Sequence, residues 1–473
     1  VSIADAIRHT GGAVRLRARW VLPVHMPPIE DGEVVIDDGV IESVGKARGS
    51  AAGAIDLGLS AILPGLVNAH AHLEYTVLRG MLEDVAFFPW IRALVQLKMR
   101  LGLDDWAASA SLGAAEMLAA GITTVADASD SGAAVSALAA SGQRGTVFRE
   151  AFGIDRETVV ENVVSATKAK LRAMDDQIER LRVMDRVGVG LSPHAPYTVN
   201  AELFGALAGL ANARGLRQMV HVAESPAEDD LIRRNEGPFA EMFTARAIPW
   251  AAHGVSPARY VADRGGFDAP TVAVHCVHLD PEDVTLLKEK GVAVAHCPKS
   301  NGKLGAGVAP VRALLDAGVP VGLGTDSVVS NNAADLFDEM RHAVYQARAG
   351  GRDAEALTAR EALRMATLGG AEALGLADQV GSLERGKRAD LCVVRLDGLH
   401  LTPTADDSPL AALVYAARAS DVALTMVDGR VLYENGRYSL IDVARLRPAV
   451  AHARARLRKE AGPVLEAASQ FRA

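Results

Sequence analysis

Eight short apolar runs, each trailed by a helix-like stretch, constrain this chain more than any other feature. In order they read "SAILPGLVNAH", "GITTVAD", "GTVFREAF", "VGVGLSPHA", "RQMVHVAE", "TVAVHCVH", "GVAVAHCP" and "VPVGLGTD". Between them lie Ala/Leu-rich or charged stretches such as "SLGAAEMLAA", "ENVVSATKAKLRAMDDQIERL" and "DPEDVTLLKEKG". Continuous Val, Ile and Ala suit parallel strands covered on both faces. Eight such units predict an α/β fold closed as a (β/α)8 barrel rather than an open sheet.

The flanks have a different character. "AVRLRARWVLP" and "GEVVIDDGVIESVG" come before the first unit, and "GSLERGKRADLCVVRLDG" and "DVALTMVDGRVLYENGRY" follow the last. Their "DG" and "NG" pairs mark hairpin turns. This predicts a small β-sandwich domain built from residues 1–60 plus 381–440, around a barrel at 61–380. The stretch "VARLRPAVAHARARLRKEAGPVLEAASQ" predicts a surface helix within 441–473 that packs on the barrel, its arginines a solvated face.

Chemistry in such a barrel sits where strands end at the C-terminal face, and polar residues recur there. His70 and His72 end the first strand, Asp127 the second and His194 the fourth, with Glu150 near the end of the third. His221 and Glu224 end the fifth, His275 and His278 the sixth, His296 the seventh and Asp326 the eighth. Residues two apart in a strand share a face, so His70 and His72 can reach one metal ion. His221 and Asp326 can complete a His3Asp set for catalytic zinc, with iron or manganese as alternatives. Glu224, three residues after His221, is placed to take a water proton and return it. His275 can orient the hydroxide or stabilise developing charge. Other residues read more blandly. Glu74 is exposed-loop material by default, Glu150 beside Arg149 is as readily an ion-paired strand end as a substrate contact, and His278 is structural. Phe87, Phe88 and Trp90 either pack a helix onto the barrel or cover a bound ring.

The balance of the 473 residues excludes several classes. They are 49% hydrophobic and 23% charged, with formal charge −8. That argues against nucleic acid or an anionic membrane as partner. No apolar run is long enough to span a bilayer, and the start lacks a signal-peptide plan. Cys276, Cys297 and Cys392 are scattered and odd in number. They predict no disulfide framework, and a reducing cytoplasm.

"PGLVNAHAHLE", "SPHAPYTV", "HVAES", "HCVHL", "AHCPKSNGKLGAGVAPV", "GLGTDSVVSNN" and "GSLERGKRADLCVV" together resemble the amidohydrolase superfamily. The similarity is to its branch of cytosine, guanine and S-adenosylhomocysteine deaminases and triazine hydrolases. It implies a metal-dependent hydrolase of a small molecule, with a distorted barrel, a flanking β-sandwich and a homodimeric assembly. By resemblance His70, His72, His221 and Asp326 hold one divalent ion, Glu224 is the proton shuttle and His275 helps hold the water. His194 matches a substrate-contacting position, and Glu74, Glu150 and Trp90 are further candidates for substrate contact. No lysine stands at the third or fourth strand end to bridge a second ion.

"FFPWI" and "HVAESPAEDDLIRRNEGPF" are similar to the aminodeoxyfutalosine deaminases. That implies loss of the 6-amino group of an adenine-type nucleoside, with 6-amino-6-deoxyfutalosine the favoured substrate. Methylthioadenosine and S-adenosylhomocysteine, guanine, cytosine and chlorinated triazines are the alternatives. A catalytically silent barrel serving as a scaffold would have lost a ligand or the shuttle, and this chain keeps both.

Overall fold

In the computed structural model, residues 3–9, 12–49 and 53–469 are described. The outermost residues of the expected first and last segments, 1–2 and 470–473, lie outside that set. Five strands come first: β1 Val14–Val21, β2 Ile29–Asp37, β3 Val40–Lys46, β4 Ala54–Asp56 and β5 Ser60–Pro64. Eight follow from the apolar runs: β6 Leu66–Ala71, β7 Ile122–Ser129, β8 Arg144–Ala151, β9 Val187–Pro193, β10 Gln218–Val222, β11 Thr271–His275, β12 Ala293–His296 and β13 Val321–Leu323. Four more close the chain: β14 Leu391–Arg395, β15 Val422–Val427, β16 Arg430–Glu434 and β17 Arg437–Tyr438.

Strands β6 to β13 pair in chain order, all parallel. The circle closes where Ala71 bridges Asp326 and the Asp326 N–H donates to the His70 carbonyl at 3.0 Å. This is the nearly closed (β/α)8 barrel that the alternation predicts. Its interior is filled, not hollow. Val67, Ala69, Ala126, Phe148, Met219, Val272, Val274 and Ala295 pack together inside. Tight packing needs glycine at one point beside the site. A Cβ on Gly324 would lie 2.9 Å from both the His70 Cβ and the Cys297 Sγ.

The remaining nine strands form one sheet from both flanks of the chain, in the order β17-β16-β15-β14-β5-β1-β2-β3 with β4 on β1. The seam is β14 antiparallel to β5, Leu391 opposite Pro64 through Arg395 opposite Ser60. Strand β5 belongs to this sheet and β6 to the barrel, so the chain passes between them at Gly65. A buried ion cluster ties the two together. Arg144, at the start of β8, donates from Nε to Asp390 at 2.9 Å and from Nη2 to Asp428 at 2.7 Å. Arg388 also bonds Asp428. The late helix Val443–Glu460 packs against the barrel helix Leu103–Ala119, burying Val450, Ala453 and Leu457. No described helix is long and apolar enough to cross a membrane.

Candidate active site

Three strand ends, those of β6, β10 and β13, deliver the expected ligands to one place at the barrel mouth. Overlapping groups of buried donors form there: His70, His72 and Asp326; His70, His221 and His275; Glu224, His275 and Asp326; and His72, Glu150 and His221. Within each group the ligand atoms lie within 4.8 Å of one another. The Nε2 atoms of His70 and His72 stand 3.5 and 3.6 Å from the Asp326 Oδ1.

The surroundings set the ring orientations. The His221 Nδ1 faces the His194 carbonyl at 2.9 Å, and the His275 Nδ1 faces the Asn301 Oδ1 at 2.9 Å. A ring that donates from Nδ1 presents a bare Nε2 lone pair, the form a metal needs. Met219 lies under His70, its Sδ 3.1 Å from Nδ1. Asp326 accepts from the Ser300 Oγ at 2.6 Å, the Ser330 Oγ at 2.9 Å and the Ser327 N–H at 2.6 Å.

Burial then fixes protonation. It pushes His70, His72, His221 and His275 below the ordinary imidazole range, so all four are neutral at pH 7. Burial alone would raise Asp326, but His70 and the neighbouring imidazoles outweigh it and hold the carboxylate charged. Neutral imidazoles beside one anion suit a divalent cation. Among the described residues the buried Nε2 of His70 and Nδ1 of His72 have no hydrogen-bond partner, a costly arrangement unless something else binds there. The donor set fits a divalent metal ion.

Glu224 is pushed well up, first by burial and then by repulsion from Asp326, while a hydrogen bond from Tyr197 opposes the shift. Its Oε1 lies 3.5 Å from the His275 Nε2. The backbone here is unusual. Ala223, His275, Cys276 and Asp326 have φ of 55, 75, 50 and 55°, in the left-handed region that favours glycine. Such conformations persist where neighbours over-determine them. Glu228 does so for the shuttle: its carboxylate accepts the Ala223 N–H at 2.9 Å and the Glu224 N–H at 2.8 Å.

The cluster opens into a cavity of about 830 Å³. His72, His194, His221, Glu224, His275 and Asp326 line its inner end, and Phe87, Phe88, Trp90, Trp106, Phe152 and Phe239 its walls. Trp90 both lines the cavity and packs in a buried cluster with Phe87. The aromatic stretch therefore serves packing and lining at once.

Other expected residues land differently. Glu74 is not exposed; it is fully buried. It accepts from the Ser129 Oγ at 3.0 Å, the Asp130 N–H at 2.9 Å, the Ser131 N–H at 3.2 Å and the Ser131 Oγ. A carboxylate has about four acceptor positions, so the loop after β7 occupies them although Glu74 borders the cavity. Glu150 is buried and is not among the residues that border it; burial raises its carboxyl to about 8, neither oxygen has a hydrogen-bond partner among the described residues, and the His194 Nε2 lies 3.8 Å from Oε1. His194 borders the cavity, its Nδ1 2.8 Å from the Thr198 Oγ1, and burial lowers it to about 3. Asp127 accepts the Leu73 N–H at 2.6 Å and pins the turn after β6. His278 faces the Ala306 carbonyl at 2.8 Å, in keeping with its structural reading. Sequence reasoning missed Tyr75, which stacks on His72 at 4.9 Å, as well as Tyr197, Glu228 and Asn301. Tyr197 and Asn301 lay within the quoted "SPHAPYTV" and "AHCPKSN", but no spacing rule singled them out.

A family model described as "Amidohydrolase family" matches residues 61–432. The 5-methylthioadenosine/S-adenosylhomocysteine deaminase of Moorella thermoacetica is 35% identical over 444 residues, 92% of this chain and 97% of that one. The 5'-deoxyadenosine deaminase of Methanosarcina mazei is 35% identical over 419 residues, 88% of this chain and 90% of that one. An adenosine deaminase from Xanthomonas campestris, solved with bound zinc, superposes with a TM-score of 0.82 at 30% identity, covering 94% of this chain and 98% of that one.

Proposed function

The chain belongs to the amidohydrolase family, and from that premise we propose that it is a metal-dependent hydrolytic deaminase of 5'-substituted adenine nucleosides. The observation that carries this reading is the neutral His/anionic Asp cluster, with Glu224 beside it, at the inner end of a cavity with aromatic walls. Relatives named for methylthioadenosine, S-adenosylhomocysteine and 5'-deoxyadenosine support the substrate class. All three compounds join an adenine to a sugar with an altered 5' position. The aryl carboxylate arm of 6-amino-6-deoxyfutalosine is the second reading. It is favoured by the Arg92 guanidinium, 5.9 Å from the Phe88 ring on the cavity wall.

A divalent ion held by His70, His72, His221 and Asp326, zinc in this reading, supplies the Lewis acidity that makes water nucleophilic near neutral pH. Glu224 takes a proton from the attacking water and passes it to the ring nitrogen beside the amine-bearing carbon. That transfer relieves the charge that addition creates on the ring. His275, its Nδ1 committed to Asn301, keeps its Nε2 lone pair on the water and limits its orientations. Glu224 then takes the remaining hydroxyl proton and returns it to the amine. The carbon–nitrogen bond breaks, ammonia leaves and a carbonyl remains on the ring. Trp90 and Phe87 exclude water from the base, and His194 borders its edge.

The test is ammonia release by the zinc-loaded protein. The panel is adenosine, 5'-deoxyadenosine, methylthioadenosine, S-adenosylhomocysteine, 6-amino-6-deoxyfutalosine, guanine, cytosine and a chlorinated triazine. Turnover of the 5'-altered adenosines above the rest is expected. No turnover of any adenine nucleoside would overturn the reading. Sedimentation of the same sample tests the homodimer that the family resemblance implies.

A further inference from the structure

Glu150 takes no part in the chemistry above. It stands near the end of β8, opposite Ser192 of β9 in the strand pairing, and is 2% exposed. Among the described residues neither of its buried oxygens has a hydrogen-bond partner, and the buried Ser192 Oγ has none either. Lys98 is the cation that acts on Glu150 most strongly, but its ammonium is paired with Asp130 at 3.3 Å. A buried carboxylate left open in this way is costly unless something binds to it.

His194 faces this carboxylate. The His194 Nδ1 lies 2.8 Å from the Thr198 Oγ1, and that hydroxyl donates its one proton to the Ala195 carbonyl at 3.1 Å. Nδ1 therefore carries the proton of the neutral ring, and Nε2 is a bare lone pair. Nε2 lies 3.8 Å from the Glu150 Oε1. That separation is too long for a hydrogen bond, so a proton on Glu150 does not join the two. It does suit two ligands of one metal ion. With bonds of about 2.0–2.2 Å to nitrogen and oxygen, neighbouring ligand atoms stand roughly 3–4 Å apart. Glu150 also groups with His72 and His221, their ligand atoms within 4.8 Å of one another, but not with His70 or Asp326. It therefore stands on the side of the cluster away from the Asp326 carboxylate.

We propose that Glu150 and His194 hold a second divalent cation, beside the one taken by His70, His72, His221 and Asp326. The cation satisfies two facing acceptors that nothing else in the chain joins. One imidazole nitrogen and one carboxylate, completed by water, suit zinc or manganese. His72 and His221 are committed to the first ion, so the second has two protein ligands against four. It therefore fills after the first and leaves before it. The proposal does not depend on which nucleoside is the substrate, and it adds no step to the reaction.

The experiment equilibrates metal-free wild type, Glu150→Gln and His194→Phe with graded free zinc and counts the ions bound per folded chain. Crystals of zinc-saturated wild type, measured at the zinc absorption edge, locate them. The map is needed because His25, His342 and His400 stand beside carboxylates nearer the surface and can bind zinc there. Wild type is expected to take two ions at the barrel mouth, the second between Glu150 and His194. Each variant should lose that ion and keep the first. A single mouth peak at saturation, or a Glu150→Gln variant that still holds both ions, would overturn the second position and leave the deaminase reading standing. The wild-type map decides even where a variant does not fold. No ion at His70, His72, His221 and Asp326 would overturn the deaminase reading instead.

Discussion

Two regions of this molecule bury charge, and they treat it in opposite ways. At the seam between the barrel and the flanking sheet, Arg144, Asp390, Asp428 and Arg388 bond one another. Side-chain exposure of Arg144 and Asp390 is 3% and 1%. At the barrel mouth, His70, His72 and Glu150 are buried too, yet each keeps a polar atom with no hydrogen-bond partner among the described residues. A buried group that is satisfied within the chain contributes structure. A buried group left open is stabilised only by what binds to it. The first region should therefore respond to mutation in stability and the second in turnover.

The mouth gives the largest effects. Glu224→Gln keeps the shape but removes the proton acceptor, so kcat should fall about 10²–10⁴-fold while melting changes little. Chelation should abolish turnover, with added zinc restoring it. It should also lower the apparent melting temperature, because an ion that binds the folded state alone stabilises it. A chelated protein that melts as before would break the claim that the open histidines await a cation.

The seam should behave the other way. Arg144→Met strands the Asp390 carboxylate in the interior and leaves Asp428 to Arg388, and breaking such a buried pair costs about 3–5 kcal/mol. Denaturant unfolding should show that loss, with kcat per folded molecule unchanged. Combining it with Asp390→Leu, which removes one stranded charge, should recover part of the loss. A large drop in kcat with stability intact would erase the distinction.

The two regions were also unequally legible in the sequence. The mouth could be read because a barrel gathers residues from the ends of successive strands, so His70, His72, His221, Glu224, His275 and Asp326 betray themselves by position. The seam could not, since Arg144 and Asp390 are 246 residues apart and no period links them. Glu74 misled for a related reason. It follows the ligands in what reads as a loop, but that segment, Leu73–Leu78, is a buried 3-10 helix. Glu228 carries a local signal with a different meaning. "SPAE" has the Ser-x-x-Glu spacing of a helix capping box, and the Ser225 Oγ does accept the Glu228 N–H at 3.3 Å. The Glu228 carboxylate, however, reaches back past Ser225 to the N–H groups of Ala223 and Glu224.

Glu228 thus sharpens the comparison, because it is a satisfied group serving the open region. Glu228→Gln replaces one acceptor by an NH2 that faces a backbone N–H. Glu224 should then be aimed less well, and kcat should drop about tenfold at unchanged KM. Loss of zinc would leave a different trace, so metal content is measured alongside. A variant with wild-type kcat would reduce Glu228 to a helix cap.

The smallest effect tests a case between the two regions. Glu339 is fully buried behind Asp326, and its carboxylate accepts from the Lys299 N–H at 3.2 Å and from Asn331. Unlike Asp390, it has no guanidinium bonded to it among the described residues. Burial dominates, and although Lys299 and the two hydrogen bonds oppose it, the carboxyl is raised from 4.5 to about 8. The folded chain therefore binds this proton more tightly than the unfolded chain does. Its contribution to stability is full below pH 4.5 and is lost as pH rises through about 8. Glu339→Gln cannot ionise, so its melting temperature should fall less than that of wild type between pH 5 and pH 9, by roughly 2 °C. The difference in slope is the readout, because the substitution also shifts the baseline by disturbing Asn331. Parallel curves would mean that the neutral donors hold this carboxylate as firmly as an arginine does, and that pairing of any kind is enough to close a buried charge.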